Sequence, residues 1–420
     1  MNNEKFSMPY SIGTNFDPEL INIISELDKD KSIKSVFGKM RSDILGGGRA
    51  SLVLPEISME QLRDYIKLCH SKGLKFNYLL NPMCMENKEL SAREHKKIVS
   101  YIDKLVNIGV DSVTVNSPYM CEMIKKKFEN IKVSIGLYAY IFDMHHVKYW
   151  CDLGADELTL YHKVNRNFAL LENMLQFTKN TNMSLRLIAN NVCLHSCPYC
   201  VMHGTSVAHA SQNKHFSKHI NLDYCLLKCT TEKIKNPVQL ISSEWIRPED
   251  VKYYEELCEK TRNYNFSIKL LDRTKSTDFL TKVIKAYTSR EYDGNLLDIL
   301  LWPKLNQVAK VHKKSFIFKA ITGRYNLKEV KRFFDIYNLP DIYFDNKKLD
   351  GFLEKFISKF VCDEHLCEEC DTENSNSGAY CSYCKSWAQK AITYNNDERK
   401  KWIKESESIK VNLVDSKFFS

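Results

Sequence analysis

The chain has 420 residues, of which 44% are hydrophobic and 27% charged, and its formal net charge is +9. This composition is typical of a soluble globular protein and excludes a disordered chain, a collagen-like repeat and a coiled coil. No apolar run approaches the roughly 18 residues that a membrane span needs. The polar start, Met1–Ser11, lacks the apolar centre of a signal peptide. We therefore expect a cytoplasmic protein without a membrane partner.

Short β-branched segments alternate with helical periodicity through the first 270 residues. Eight strand–helix units predict an α/β fold, a (β/α)₈ barrel of the TIM type. An open doubly wound sheet is the alternative, but no Gly-rich phosphate loop follows the first strand. The predicted strands are Ser35–Phe37, Ser51–Leu54, Lys75–Leu80, Ser112–Val115, Lys132–Leu137, Glu157–Leu160, Leu185–Ala189 and Ser267–Leu271.

The chain is expected to divide into three parts. Residues 1–300 form the barrel, with an insertion at 191–266 that is far longer than one helix requires. Residues 301–360 form a basic helical segment, in which 304–332 carry nine Lys or Arg against one acid. This patch either binds an anionic partner or is a solvated helical face. Residues 361–420 form a small Cys-rich metal-binding module and a tail.

Six of the fifteen cysteines lie in the insertion after the seventh strand, and all of them except Cys258 form a first group. Cys193, Cys197 and Cys200 form a Cys-x₃-Cys-x₂-Cys run, and Cys225 and Cys229 follow later. In a reducing compartment clustered cysteines favour metal or redox chemistry, and this spacing suits an iron–sulphur cluster. The spacing does not decide whether Cys225 or Cys229 is the fourth ligand. Insertions at the carboxyl end of a barrel strand lie on the catalytic face.

The three-cysteine spacing also marks radical S-adenosylmethionine enzymes, in which the motif normally follows the first strand of the barrel. A non-catalytic electron carrier is a further alternative. The sequence has no His-Glu-x-x-His helix and no Gly-x-Ser-x-Gly elbow, so peptidase activity is the weaker interpretation.

A second cysteine group lies near the carboxyl terminus. Cys367 with Cys370 and Cys381 with Cys384 form two Cys-x₂-Cys pairs, and Cys362 precedes them. The pairs suit tetrahedral zinc, whereas the spare cysteine allows a further iron–sulphur cluster. Both alternatives stay open.

Polar residues at the ends of the predicted strands are expected on the same rim as the first cysteine group. The arginines can clamp carboxylate or phosphate groups, the asparagines can donate to a carbonyl, and His195 can shuttle protons. The candidate catalytic residues are Arg49, Asn81, Tyr161, Arg166, Asn190, His195 and Arg273.

Several segments together resemble the U32 peptidase family, also called collagenase-like peptidases. The resemblance covers roughly residues 46–300. Its most specific elements are the Cys197-Pro198 pair, Arg247-Pro248-Glu249-Asp250 and Arg273-Thr274-Lys275-Ser276. The other matching segments are Gly47-Gly48-Arg49, Asn81-Pro82, Ala155–Tyr161 with Asn165-Arg166, Asn190–Cys200 with His203, and Tyr292-Asp293-Gly294.

The resemblance implies a barrel protein that carries a four-iron (4Fe-4S) cluster. Cys193, Cys197, Cys200 and either Cys225 or Cys229 fall where the cluster ligands of the family fall. Some members catalyse oxygen-independent hydroxylation of RNA or quinone precursors, and others are linked to collagen cleavage. The resemblance therefore implies redox or hydroxylation chemistry on an organic substrate, which is a small molecule, a peptide or an RNA, with an electron donor such as a ferredoxin.

Overall fold

The computed structural model describes residues 6–41, 43–51, 54–212, 221–304, 324–358 and 382–419. Eight parallel strands follow one another around a closed barrel, and the last strand pairs with the first. This confirms the predicted (β/α)₈ barrel. The strands are β1 (Tyr10–Gly13), β2 (Ile33–Gly38), β3 (Lys75–Leu79), β4 (Ser112–Val115), β5 (Lys132–Ile135), β6 (Glu157–Thr159), β7 (Ser184–Ile188) and β8 (Phe266–Leu270).

Helices connect successive strands on the outside of the barrel. α7 to α10 all lie between β7 and β8, in the part of the chain where the sequence predicts the insertion. The helices are α1 (Pro18–Leu27), α2 (Met59–Ser71), α3 (Ala92–Asn107), α4 (Pro118–Lys127), α5 (Met144–Asp152), α6 (Phe168–Thr178), α7 (Cys200–Ala210), α8 (Tyr224–Lys235), α9 (Val238–Ser242), α10 (Val251–Thr261) and α11 (Thr277–Ser289).

The first strand of the barrel differs from the prediction. β1 lies between β2 and β8 and pairs with both, although its short sequence carries little strand signal. The predicted strand Ser51–Leu54 is wrong, because Ser51 lies in a helical turn and Leu54 in a bend. Strand preference depends on packing against neighbouring strands, and the described part of this segment pairs with none. One strand is gained and one lost, so the cysteine run still follows the seventh strand.

The inside of the barrel is polar. Thr114 donates a hydrogen bond to Asn77 across β3 and β4 (2.6 Å), and Arg186 donates to Thr159 across β6 and β7 (3.1 Å). TIM barrels usually fill this space with branched apolar side chains. The apolar residues of these strands alternate with the polar ones and are fully buried at Val113, Val115, Leu158, Leu185, Leu187 and Ile268. The barrel core therefore lies between strands and helices, and the interior is left for polar contacts.

The carboxyl-terminal part of the chain packs against the insertion. Helix Asn396–Val414 lies along α8, where the hydroxyls of Thr231 and Ser406 hydrogen-bond each other (2.5 Å). The other elements here are helices Leu327–Asp335, Glu354–Ile357 and Ser382–Ala391 and the antiparallel strands β9 (Ile342–Phe344) and β10 (Ile392–Tyr394). None of the helices in the described ranges is long and apolar enough to cross a bilayer.

Two predicted features lie largely outside the described residues. Of the basic segment 304–332, residues 305–323 are not described. Of the second cysteine group only Cys384 is described, and it is buried in helix Ser382–Ala391. The cysteines of this group outside the described residues are Cys362, Cys367, Cys370 and Cys381.

The placement of β6 in the core can be tested with a matched pair of substitutions. Leu158 is fully buried, whereas Leu90 is 68% exposed. Leu158→Ala should lower the free energy of unfolding by about 2–5 kcal/mol, because it leaves a cavity in a packed core. Leu90→Ala should change it little. Urea denaturation followed by circular dichroism measures both, and equal effects would contradict this packing.

Candidate functional site

The cysteines of the insertion gather near the carboxyl end of the barrel. Cys193 and Cys197 lie in the irregular segment after β7, Cys200 begins α7, and Cys229 lies in the middle of α8. Cys197 interacts electrostatically with the other three, and Cys193 also interacts with Cys229. Cys225 lies one turn earlier on α8, and among the described cysteines it interacts with Cys229 alone. The fold thus brings four thiols together and favours Cys229 over Cys225 as the fourth.

Burial keeps these thiols protonated when no metal is bound. Desolvation raises the pKa of Cys197 to about 12 and that of Cys225 to about 11. It also raises the pKa of Cys193 and Cys229 above the usual range of a thiol. Since the thiolate is both the metal ligand and the nucleophile, a metal bound here must displace protons.

The spacing of the four thiols bears on what they can hold. Within the described residues, no group of three or more His, Cys, Asp or Glu is arranged to hold a metal ion. Four sulphurs around one zinc ion, each about 2.3 Å from it, must lie within about 4 Å of one another. A four-iron cluster takes one thiolate at each iron and so spaces its ligands further apart. Four thiols near one another are the donor set that such a cluster takes.

One cation lies beside the thiols. Lys233 follows Cys229 by one turn on α8 and is buried. Its ammonium group donates a hydrogen bond to the carbonyl of Val192, 2.8 Å away. Its charge lowers the pKa of the Cys193 and Cys229 thiols, whereas burial raises both pKa values and has the larger effect. Lys233 therefore favours the thiolate forms that bind metal.

Tyrosines from the neighbouring strand ends lie against Cys200. The hydroxyls of Tyr140 and Tyr161 are both within hydrogen-bonding reach of its sulphur, and the two ring centroids are 5.1 Å apart. Burial raises the pKa of both hydroxyls, so they stay neutral donors. Tyr138 is close enough to Cys193 to interact with it electrostatically. Of these residues the sequence predicted only Tyr161.

The histidines beside the cysteine run are held by carboxylates. Nδ1 of His195 lies 2.7 Å from Oε1 of Glu244, which is buried. Nε2 of His203 lies 2.9 Å from Oδ2 of Asp223. His162 is buried, and desolvation, together with the charge of His195, lowers its pKa to about 3. The site therefore combines a neutral imidazole with two whose orientation is fixed by an acid.

Two of the predicted arginines, Arg49 and Arg273, lie near one carboxylate, which pairs with Arg49. Nε of Arg49 lies 3.0 Å from Oδ2 of Asp272, and the Arg49 side chain keeps 30% of its surface exposed. Arg49 also interacts electrostatically with Cys193. The next residue, Arg273, is almost fully buried, and its Nη1 has no hydrogen-bond partner among the described residues. Arg49 and Arg273 thus lie close to each other and Arg49 lies close to the thiols.

The barrel interior carries more positive than negative charge at this end. Burial lowers the pKa of Lys269 well below its usual value, and the charge of Arg186 lowers it further. Burial also lowers the pKa of Arg273 to about 10, opposed by Asp272. Within the described residues neither Lys269 nor Arg273 forms an ion pair, whereas Arg186 pairs with Glu157 at 2.7 Å. Buried cations without a partner create a strong preference for an anion.

Two predicted site residues support the backbone of the site. Arg166 donates hydrogen bonds to the carbonyls of Ile241 (2.9 Å) and Ser243 (2.5 Å), and its guanidinium stacks on the ring of Trp245. It therefore holds the segment that carries Glu244. Asn190 bonds both the amide and the carbonyl of Leu271, which ties the end of β7 to that of β8. These contacts give Arg166 and Asn190 a supporting role, and their catalytic roles stay predictions.

The side chain of Asn81 offers a hydrogen-bond acceptor to a ligand. Its backbone carbonyl accepts a hydrogen bond from Asn116 Nδ2 (2.8 Å). The side-chain oxygens Oδ1 of Asn81 and Asn116 are both buried without a hydrogen-bond partner in the described part of the chain. Buried acceptors are normally paired, so these two oxygens are suited to a ligand donor.

Sequence reasoning missed several residues of the site. The place of Lys233 could have been predicted, because a residue four positions after Cys229 in a helix lies on the same face as Cys229. Lys269 could also have been singled out from the sequence, since a lysine within a buried strand is unusual. Glu244 and Tyr138 had none, because only the folded chain brings them to the cysteine run.

Comparisons with known proteins agree on one family. The model of peptidase family U32 matches residues 46–293. An uncharacterized protease of Methanocaldococcus jannaschii is 26% identical over 377 residues, which are 88% of this chain and 94% of that protein.

Solved structures of similar shape were also found. A U32 peptidase of known structure is 15% identical, with a TM-score of 0.47 over 65% of this chain and 96% of its own. An endo-β-1,4-mannanase of Thermotoga petrophila is 10% identical, with a TM-score of 0.36 over 70% of this chain and 80% of its own. Likeness at this level says nothing about activity. The family match spans more than half of the sequence, and the chain belongs to peptidase family U32.

Proposed function

We propose that this chain is an iron–sulphur enzyme that carries out redox chemistry, such as oxygen-independent hydroxylation, on an anionic organic substrate. The observation that carries the proposal is the meeting of four thiols, Cys193, Cys197, Cys200 and Cys229, near the carboxyl end of the barrel. Enzymes of this fold build their active sites at that end. A bound four-iron cluster would supply one-electron transfer there, in exchange with an electron-transfer partner such as a ferredoxin.

The charges of the barrel interior support an anionic substrate. Lys269 and Arg273 are buried and form no ion pair with a described residue, and Arg273 Nη1 is unpartnered. A carboxylate or phosphate between them would pair both charges, and the guanidinium can bind it with two hydrogen bonds. Arg49, held by Asp272 and close to Cys193, would orient the part of the substrate that reacts.

Proton transfer is assigned to His195. Glu244 holds its Nδ1 at 2.7 Å, which fixes the ring and leaves Nε2 to exchange a proton with the substrate. Arg166 supports this arrangement from behind, because it binds the carbonyls on either side of Glu244, at Ser243 and Trp245. The neutral hydroxyls of Tyr140 and Tyr161 lie beside Cys200 and would exclude water from that side.

The other redox alternatives have less support. A radical S-adenosylmethionine enzyme needs one iron without a protein ligand, whereas Cys229 provides a fourth thiol. An electron carrier needs no substrate groups, whereas Arg49, Arg273 and His195 lie around the thiols. These observations favour an enzyme with a fully ligated centre.

A thiol-dependent peptidase is the second candidate, and the names of the family and of its relative point to it. His203, one turn after Cys200, is oriented by Asp223, which is the arrangement of a base beside a nucleophile. The raised pKa of Cys193 and Cys197 makes these two thiols poor nucleophiles and leaves Cys200 as the nucleophile of this candidate. Hydrolysis of peptides by metal-free protein, lost in His203→Asn, would favour it.

The fourth ligand can be tested with two cysteines of one helix. Cys229→Ser should lose most of the iron and sulphide of anaerobically purified protein, because a hydroxyl replaces a ligand. Cys225→Ser, one turn away, should keep both. Iron and acid-labile sulphide per chain measure the difference. Wild-type protein without iron would end the proposal, and loss of iron in Cys225→Ser alone would reverse the ligand assignment.

The substrate charge can be tested without knowing the substrate. Inorganic phosphate or malonate should raise the melting temperature of the wild type, because a ligand that binds the folded state stabilises it. Lys269→Met should weaken that response, because it removes a side chain that a bound anion would hold in its charged form. Lys285→Met on α11 is exposed and serves as the control. An unchanged anion response in Lys269→Met would contradict the assignment.

A further inference from the structure

We infer that Lys233 is the counter-ion of the thiolate set and raises the reduction potential of the centre bound there. This inference rests on the proposed function. It assigns to Lys233 a positioning and electrostatic role, without contact with the substrate.

The geometry of α8 places Lys233 next to the sulphurs. Cys229 and Lys233 are four residues apart on the helix and therefore lie on one face, one turn apart. The ammonium is within hydrogen-bonding reach of the Cys229 sulphur and interacts electrostatically with Cys193. Its hydrogen bond to the carbonyl of Val192 ties it to the residue before Cys193. Lys233 thus contacts both parts of the chain that supply thiols.

The surroundings of Lys233 contain no carboxylate partner among the described residues. The acids nearest to the site are engaged elsewhere, since Asp223 binds His203 and Glu244 binds His195. The indole ring of Trp302 lies 5.4 Å from the ammonium and helps to shield it from water. A buried ammonium is seldom left unpaired, because its desolvation is costly. With neutral thiols this charge is unpaired, whereas with iron-bound thiolates it is paired.

A charge at this position affects a redox centre in a predictable direction. Reduction adds negative charge to the centre, and a nearby cation stabilises the reduced form more than the oxidised form. The effect is larger inside a protein than in water, because the surroundings screen it less. Removal of the charge should therefore make reduction harder.

The test separates charge from packing. Lys233→Met keeps most of the length of the side chain and removes its charge, whereas Lys233→Arg keeps the charge. Lys233→Gln is used in place of Lys233→Met if the Lys233→Met protein fails to fold. Lys235→Met is the matched control, because Lys235 is exposed on the same helix. Each protein is reconstituted anaerobically with ferrous iron and sulphide. The midpoint potential is measured by redox titration, and the melting temperature is measured with and without metal.

We expect Lys233→Met to shift the midpoint potential to more negative values, with Lys233→Arg and Lys235→Met close to the wild type. Without metal, Lys233→Met should melt at the same or a higher temperature than the wild type, since an unpaired charge is gone. Failure of a folded Lys233→Met protein to load iron, restored in Lys233→Arg, would also support the inference.

Three results would overturn the inference, and they are distinguishable. Equal iron content and equal potential in Lys233→Met and wild type would overturn the role of Lys233 and leave the proposed function intact. Absence of iron in reconstituted wild type would overturn both. A lower melting temperature of Lys233→Met in the metal-free state, with an unchanged potential, would show that the side chain serves packing alone.

Discussion

A charge removed from water must find a partner of opposite sign, and this requirement organises the carboxyl end of the barrel. Asp272 is this partner for Arg49, since its Oδ2 lies 3.0 Å from Arg49 Nε. Lys233, Lys269 and Arg273 are buried as well, and no described carboxylate pairs with them. We propose that the thiolates of a metal centre pair with the charge of Lys233, and that a substrate anion pairs with the charges of Lys269 and Arg273. In these proposals two of the charges are paired only when a ligand is bound, whereas the partner of Lys233 forms from the chain's own thiols.

The barrel accommodates these charges because its interior is polar. Cross-strand hydrogen bonds such as Thr114 to Asn77 occupy space that apolar side chains usually fill, and the apolar core lies outside, between strands and helices. Helix α8, which carries Cys229, is held from outside by helix Asn396–Val414. The residues that hold the fold together are thus largely different from the polar residues at the carboxyl end of the barrel.

Part of this could be predicted from the sequence. The alternation of strands and helices predicted the barrel, and the Cys193–Cys200 run predicted where the thiols gather. The first strand could not be predicted, because Tyr10–Gly13 becomes a strand only by pairing with β2 and β8. The partners of Arg166, at Ile241 and Ser243, could not be predicted either, because they lie some 75 residues away in the chain.

The sequence by itself determined the fold class and the family, since these depend on residue types and on short spacings within one element. The tertiary structure alone decided that Cys229 joins the run while Cys225 does not, and that Glu244 orients His195. It also decided which cations stay unpaired. Such relations depend on how separate elements approach one another in space, and burial, which sets the strength of each charge, exists only once the chain has folded.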